Sequence, residues 1–314
     1  YGTDPEATAI LNGRELYFIP AVNPDGLVYN QQIAPTGGGM QRKNRQETCL
    51  DSPNSMSDGV DLNRNYDYMW AYDNMGSSPD GCNETYRGTA AFSEPETETI
   101  KNFVELHNFK LALNYHSYGN LLIRPFGYDP YSLLSEDDFE IFIEYGEAMT
   151  QYNGYLFGTG IETVGYTVNG EACDWMYGEH GIFAYTPEVG ASSDGFWPAT
   201  DRILPLAEEN LFPNKFAAWA VGAKHEVDFS IQNGPYLPGN NYGTILSLYN
   251  SGLGNSNGLL TLSIDSPDNY FYFDNQSVEM DGLEARSSAD LGDIFVFQVL
   301  SNAPSGVIGK IILS

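Results

Sequence analysis

The chain changes character near residues 223–229, and that change limits the fold more than any single motif does. Upstream, helical and strand-like stretches alternate. Downstream, from Glu226 to Ser314, there is no Cys and no His, and only Arg286 and Lys310 carry positive charge. The downstream text is a series of short alternating runs, TILSLYN, LLTLSID, YFYFD, IFVFQVL and IGKIILS, broken by Gly, Asn, Pro and Asp. Period-two alternation between turn residues predicts an antiparallel β-sandwich module of roughly immunoglobulin-like size. The expected division is therefore 1–224 and 225–314. The second part shows no cluster of reactive side chains and reads as an appendage, secretion-associated or adhesive.

Residues 1–224 read as α/β. ELYFIPAV predicts a strand closed by the turn NPDG, and Ser93-Glu94-Pro95-Glu96 predicts a capping box with proline in the first turn. The helix it opens places Ile100, Phe103, Val104 and His107 on one face. KLALNYHSYG reads as a buried strand with a polar end, and Ser135 as the cap of a second helix carrying Phe139, Phe142 and Ile143. IFAYTPEVG is an apolar strand ending in a carboxylate. Residues 201–222 predict one last amphipathic helix with Ile203, Leu206, Leu211, Phe216 and Trp219. Such alternation implies a mixed sheet with helices on both faces, whose chemistry collects at the carboxyl ends of the strands.

Composition narrows the function classes. Hydrophobic residues make up 42% of the chain, enough for real cores, whereas 42 Asp and Glu against 14 Lys and Arg give a net charge of −28. A chain that acidic repels phosphate backbones and anionic lipid surfaces, so nucleic acid is excluded as a natural partner. No apolar run reaches the roughly 18 residues that suggest a membrane span. Acidity with ample hydrophobicity points to a secreted, extracellular protein. Three cysteines allow one disulfide and one thiol: Cys49 and Cys82 lie in polar, loop-like surroundings and can pair, while Cys173 sits in a buried-looking stretch. The opening YGTDPEATAIL already reads as the middle of a helical region, as in a processed piece of a longer precursor.

Three polar features stand against their surroundings. His116 ends an apolar run, where a histidine is either a satisfied core residue or a ligand. Glu188 follows IFAYTP, and a buried glutamate is costly unless it is paired, metal-linked or functional. Arg42, Lys43 and Arg45 cluster in MQRKNR and Arg64 in GVDLNRNY, each arginine near an asparagine. These either neutralise acidic loops or offer fixed donors to a carboxylate. Together the three features suggest metal-assisted hydrolysis of something with a free carboxylate.

The segments NPDG (23–26), RKNR (42–45), GVDLNRNY (59–66), CNETYRG (82–88), YHSYGNLLIRPFGY (115–128), YTVNGEACDWMY (166–177) and YTPEVG (185–190), in this order, resemble the zinc metallocarboxypeptidases of the carboxypeptidase A/B/T kind over about residues 1–222. The resemblance implies an α/β fold with a mixed, eight-stranded-type sheet, one catalytic Zn2+, and peptide or protein C-termini as partners. It implies His116 as a zinc ligand, Glu188 as general base and Arg42 as the donor that stabilises the oxyanion. Asn63 and Arg64 would clamp the terminal carboxylate, Tyr166 would act as a mobile lid, and Ser117 and Tyr118 would line the substrate site. Cys173 and Thr186 would belong to the pocket for the departing side chain. A small, neutral Cys173 favours apolar C-terminal residues, while Glu171 leaves basic ones open.

One departure matters. The family's two other zinc ligands lie in an H-x-x-E segment, and no such segment occurs here. Catalytic zinc takes three protein ligands and a water. The expectation is that the chain is N-terminally incomplete, with a complementary N-terminal segment of the same precursor supplying the rest. Two alternatives are a catalytically inactive module that binds C-terminal carboxylates, and an adhesive function carried by the β-sandwich.

Overall fold

The computed structural model describes residues 1–53 and 55–314. The chain folds as two compact units, Leu16–Ala217 and, separately, Tyr1–Glu15 with Ala218–Ser314. Helix α1 (Pro5–Gly13) belongs to the smaller unit. The larger contains α2 (Pro24–Ile33), α3 (Pro95–Glu105), β1 (Leu111–Leu113), β2 (Leu121–Arg124), α4 (Glu136–Thr150), β3 (Leu156–Thr159), α5 (Gly160–Thr163), α6 (Ala172–His180), β4 (Phe183–Glu188) and α7 (Thr200–Glu209). After α8 (Leu211–Ala220) come β5 (His225–Ile231), β6 (Asn241–Asn250), β7 (Leu259–Asp265), β8 (Phe271–Phe273), β9 (Ser277–Asp281), β10 (Ser288–Gly292), β11 (Val296–Val299) and β12 (Ile312–Leu313).

The larger unit is built on a mixed sheet of order β1-β4-β2-β3. β1 runs parallel to β4, β4 antiparallel to β2, and β2 parallel to β3. Strand β4 is buried through its first five residues, because both of its faces are covered. Phe183 and Tyr185 point to one face and meet the ring of Phe142 from α4, at centroid distances of 5.0 and 5.2 Å. Ala184, of opposite parity, joins Ile100 and Val104 of α3 and Trp175 of α6 in a second cluster. A strand covered on both sides reads as continuously apolar, which is why IFAYTP carries no alternation.

Four local expectations are corrected. Residues 15–22 are not a strand: no strand among the described residues pairs with them, so the ladder that would hold them is missing, and Phe18 is 78% exposed. NPDG opens a helix instead of closing a turn; Asn23 Oδ1 accepts the Gly26 N–H at 2.9 Å and Pro24 takes the first helical position. Helix α3 starts as expected, but without a capping box, because Ser93 Oγ donates to Glu94 Oε1 at 2.7 Å and Glu94 occupies the cap position. The last amphipathic helix is two. Asn210 Nδ2 bonds back to Leu206 O at 2.9 Å, a side-chain competitor for the helical ladder, and Pro213 supplies no N–H three residues on. Leu206 and Phe216 are buried as expected, but Ile203 and Leu211 are exposed.

In the smaller unit, residues 225–314 form two antiparallel sheets, one of β10, β6, β11 and β8 with β5 added on β6, the other of order β12-β7-β9. The long strand β6 pairs with β5 along one edge and divides the other between β11 and β10. Its alternating burial puts Leu246 and Leu248 into an apolar cluster with Leu262 and Ile264 of β7, the two layers of a β-sandwich. His225 is the first residue of β5. Replacing fully buried Phe142 by Ala should cost about 3–5 kcal/mol, from lost burial plus a cavity between α4 and β4; a denaturant midpoint unchanged from the parent chain would contradict this packing.

Candidate functional site

Strand β4 delivers Glu188 at its carboxyl end, and the chain after β1 runs alongside to deliver His116. His116 N donates to Pro187 O at 2.8 Å, and Val189 N donates back to His116 O at 2.9 Å. On the other side, Leu121 of β2 stands opposite Glu188. Burial pushes the Glu188 carboxyl up to about 7, with Arg42 opposing and Glu171 adding to the rise. Burial brings His116 down to about 4, helped by the positive field of Arg42. The imidazole is thus a neutral ring whose nitrogens make no side-chain hydrogen bond among the described residues.

The basic residues divide sharply in role. Of RKNR, only Arg42 faces the group just described; its Nε bonds Asp61 Oδ2 at 3.0 Å. Lys43 is buried and donates to Gly81 O and Asn83 O, at 3.0 and 2.9 Å. Asn44 Nδ2 donates to Glu94 Oε2 at 2.7 Å, and Arg45 lies 3.9 Å over the Tyr29 ring. These three brace the irregular segment, which the disulfide Cys49–Cys82 also closes. Arg64 leaves a short 3₁₀ turn, Leu62–Arg64, with its side chain only 6% exposed and Nη1 3.8 Å from Asp61 Oδ2. Burial alone would raise the Asp61 carboxyl, but Arg42, Arg64 and the Asn63 N–H hold it below its usual value.

Two donors are left over. Arg64 Nη1 donates to Asn63 O at 2.9 Å, whereas buried Arg64 Nε has no partner. Asn63 Oδ1 accepts the Ala172 N–H at 3.0 Å, capping the first turn of α6, and Asn63 Nδ2 makes no hydrogen bond among the described residues. Helix α6 itself lays Cys173 inside the fold. Its Sγ donates to Ala184 O at 3.2 Å, and burial pushes the thiol's pKa up, with Thr186 of β4 opposing the rise. Tyr166 is 55% exposed, yet close enough to Arg42 to raise the guanidinium's pKa. Tyr118 packs edge-on against Phe196 at 4.8 Å, and Ser117 is exposed beside it. The structure thus gathers Arg42, Arg64, His116 and Glu188 in one electrostatic neighbourhood, with Asn63, Tyr166, Cys173 and Thr186 tied to it through single contacts.

Two carboxylates complete the site and escape the sequence reading. Asp61 is one. Asp174, a carboxylate inside the apolar stretch ACDWMY, carries the same signal that marks Glu188. Asp174 accepts the Gly127 N–H with both oxygens, at 3.0 and 2.9 Å, and the Tyr128 N–H at 3.2 Å. Glu171 lies against Gly127 so tightly that a Cβ there would collide with its Oε1. Burial first, and then the mutual repulsion of the pair in the case of Asp174, raises both carboxyls above the ordinary range.

With this geometry in hand, the comparisons agree on one family. Residues 1–212 match the family Peptidase_M14, zinc carboxypeptidase. The chain belongs to the zinc carboxypeptidase family. It is 34% identical over 214 residues to carboxypeptidase A1 of Mus musculus and of Bos taurus, covering 67% of this chain and 48% of each relative. The chain therefore spans about half the length of the curated relatives it matches. A crystal structure of thrombin-activatable fibrinolysis inhibitor superposes with a TM-score of 0.58 at 28% identity, over 69% of this chain and 54% of that one.

The family's metal does not find a full donor set here. Among the described residues no group of three or more His, Cys, Asp or Glu is arranged to hold a metal ion. His116 is a fitting single donor, but three are needed for catalytic zinc.

Two outcomes follow from the charges. Asp61→Ala removes the counter-charge of buried Arg64 and should destabilise the larger unit by about 3–5 kcal/mol, read as a lowered denaturant midpoint. Glu171 and Asp174 hold protons more tightly folded than unfolded. Their contribution to stability is therefore complete below the ordinary carboxylate pKa and falls as pH rises into the raised range. Glu171→Gln should accordingly raise Tm more at pH 8 than at pH 4. The expected difference is at least roughly 2–4 °C, the effect of about 1 kcal/mol in a domain of this size; an equal change at both pH values would contradict a protonated pair.

Proposed function

We propose that this chain captures the free C-terminal carboxylate of peptides and carries the acid–base group of a secreted peptide C-terminal hydrolase. The observation that carries the reading is the buried Arg64 Nε without a partner, on the residue next to an Asn63 amide whose Nδ2 is also free. A buried guanidinium N–H left unpaired is costly, and a carboxylate is the acceptor whose planar geometry suits a guanidinium and an amide donor. Family membership supports the same assignment.

In this reading each residue has one task. Arg64 and Asn63 bind the terminal carboxylate. Arg42, held by Asp61 yet partly exposed, offers its remaining N–H groups to charge that develops on the scissile carbonyl oxygen. Glu188, with its pKa near 7, is suited both to take a proton from water and to return it to the leaving amine. Exposed Tyr166 closes over the bound residue. The side-chain pocket prefers neutral or apolar residues: Cys173 is small and its thiol is engaged, and the raised Glu171 carboxyl is largely neutral in mildly acidic solution. The disulfide Cys49–Cys82 supports an oxidising, extracellular setting.

A second reading, recognition of peptide C-termini without hydrolysis, is favoured by the single histidine donor among the described residues. Both readings share the carboxylate clamp, and calorimetric binding tests it. Hippuryl-L-phenylalanine should bind saturably and its C-terminal amide at least tenfold more weakly. Arg64→Ala should erase that difference, while Glu188→Gln should preserve it. An amide that binds the unaltered chain as well as the acid does would overturn the clamp.

A further inference from the structure

A second recess is lined by none of the side chains gathered around Glu188, although its wall includes Tyr128, whose N–H bonds Asp174. It is a cavity of about 430 Å³ lined by Tyr68, Phe126, Tyr128, Tyr177, Asp138 and Gly178 among others. One wall is aromatic. Tyr68 and Phe126 stack at 5.4 Å and 15°, Tyr128 meets Tyr68 edge-on at 5.8 Å, and Tyr177 lies 5.4 Å from Phe126. The wall depends on Gly178, where a Cβ would collide with a Tyr68 ring carbon. Glycine is otherwise a poor choice in the middle of a helix. Here it lets a ring lie against the backbone.

The one charged side chain that lines this cavity among the described residues is a carboxylate, Asp138; Ser132 and the tyrosine hydroxyls are neutral. Asp138 accepts the Tyr177 hydroxyl on Oδ2 at 2.9 Å, and its Oδ1 has no hydrogen bond among the described residues. Gly178 and Gly181 place the C-terminal end of α6, the negative end of its dipole, at the wall; Met176 O and Tyr177 O are engaged by the Ile182 and Gly181 N–H groups. The Tyr68 hydroxyl is pushed up to about 12 by burial, by Tyr128, and by the charges of Asp174 and Glu179. Among the described residues no lysine or arginine lines the cavity. A recess with π-faces on one side, a carboxylate and helix-end carbonyls on the other, and no resident cation matches a positively charged guest.

We infer that this cavity is a binding site for an alkylammonium group, the chemistry of a lysine side chain, with Asp138 and the α6 carbonyls accepting its N–H groups and the Tyr68–Phe126–Tyr128 cluster receiving its alkyl stem. A neutral guest of the same shape gains the apolar contact but not the charge. An anion meets the Asp138 carboxylate and the negative end of α6.

The probe is n-pentylammonium chloride, titrated into the full chain and followed by ligand-observed NMR, with n-pentanol and pentanoate as matched comparisons. Saturable binding of the ammonium at millimolar or tighter dissociation constant is expected, with the alcohol at least tenfold weaker and pentanoate not binding. Asp138→Asn should weaken the ammonium at least tenfold, and Gly178→Val, which displaces the Tyr68 ring, should abolish it. Alcohol and ammonium binding equally, no saturation, or an Asp138→Asn chain of unchanged affinity would overturn the assignment. If either variant fails to fold, the comparison of the three probes on the unaltered chain still decides it.

Discussion

The site is organised around one buried carboxylate. Asp61 accepts from Arg42 and lies beside Arg64, and without it two guanidinium groups would share a poorly hydrated space with no counter-charge. Because the carboxylate is held ionised by these neighbours, it fixes both cations in place and leaves their other N–H groups directed to different tasks. Arg64 is buried, as the proposed end-group clamp requires. Arg42 keeps contact with solvent. The same loop also places Asn63, whose backbone N–H bonds Asp61 Oδ1 at 3.1 Å. A single aspartate thus sets the position of three donors that come from two separate stretches of sequence.

Much of this was legible in the sequence, and the residues show why. Strand β4 and helix α4 stand where their patterns placed them, since each is long, apolar on the buried side and, for α4, capped by Ser135, whose side chain accepts the Asp138 N–H. Glu188 and His116 were visible as polar groups at the ends of apolar runs. Residues 15–22 misled because an apolar run specifies only that a segment is extended or buried, and a strand also needs a neighbour. NPDG misled because the same Asn-Pro pair that starts a turn also starts a helix, and only the chain that follows decides between them. Asp61 was hidden in plain view: in a chain with 42 acidic residues one more aspartate carries no signal until its depth is known.

The arginine clusters left two readings open in the sequence, neutralisation of acidic loops or donors for a carboxylate. In the structure Lys43, Asn44 and Arg45 turn to other segments of the chain, the carbonyls of Gly81 and Asn83, the Glu94 carboxylate and the Tyr29 ring, and so their donors are engaged internally. Sequence spacing cannot separate a side chain that turns inward from its neighbour that turns out. Backbone geometry alone makes that choice.

The bond from the Ala172 N–H to Asn63 Oδ1 joins the proposed carboxylate clamp to the helix that carries Cys173 and starts from Glu171. In the proposed reading, two preferences, one for a terminal group and one for a side chain, are thereby mounted on a single amide. A change at position 63 would remove the acceptor of the first N–H of α6, so the two would be hard to retune independently, whereas positions deeper along that helix lie beyond the reach of the cap.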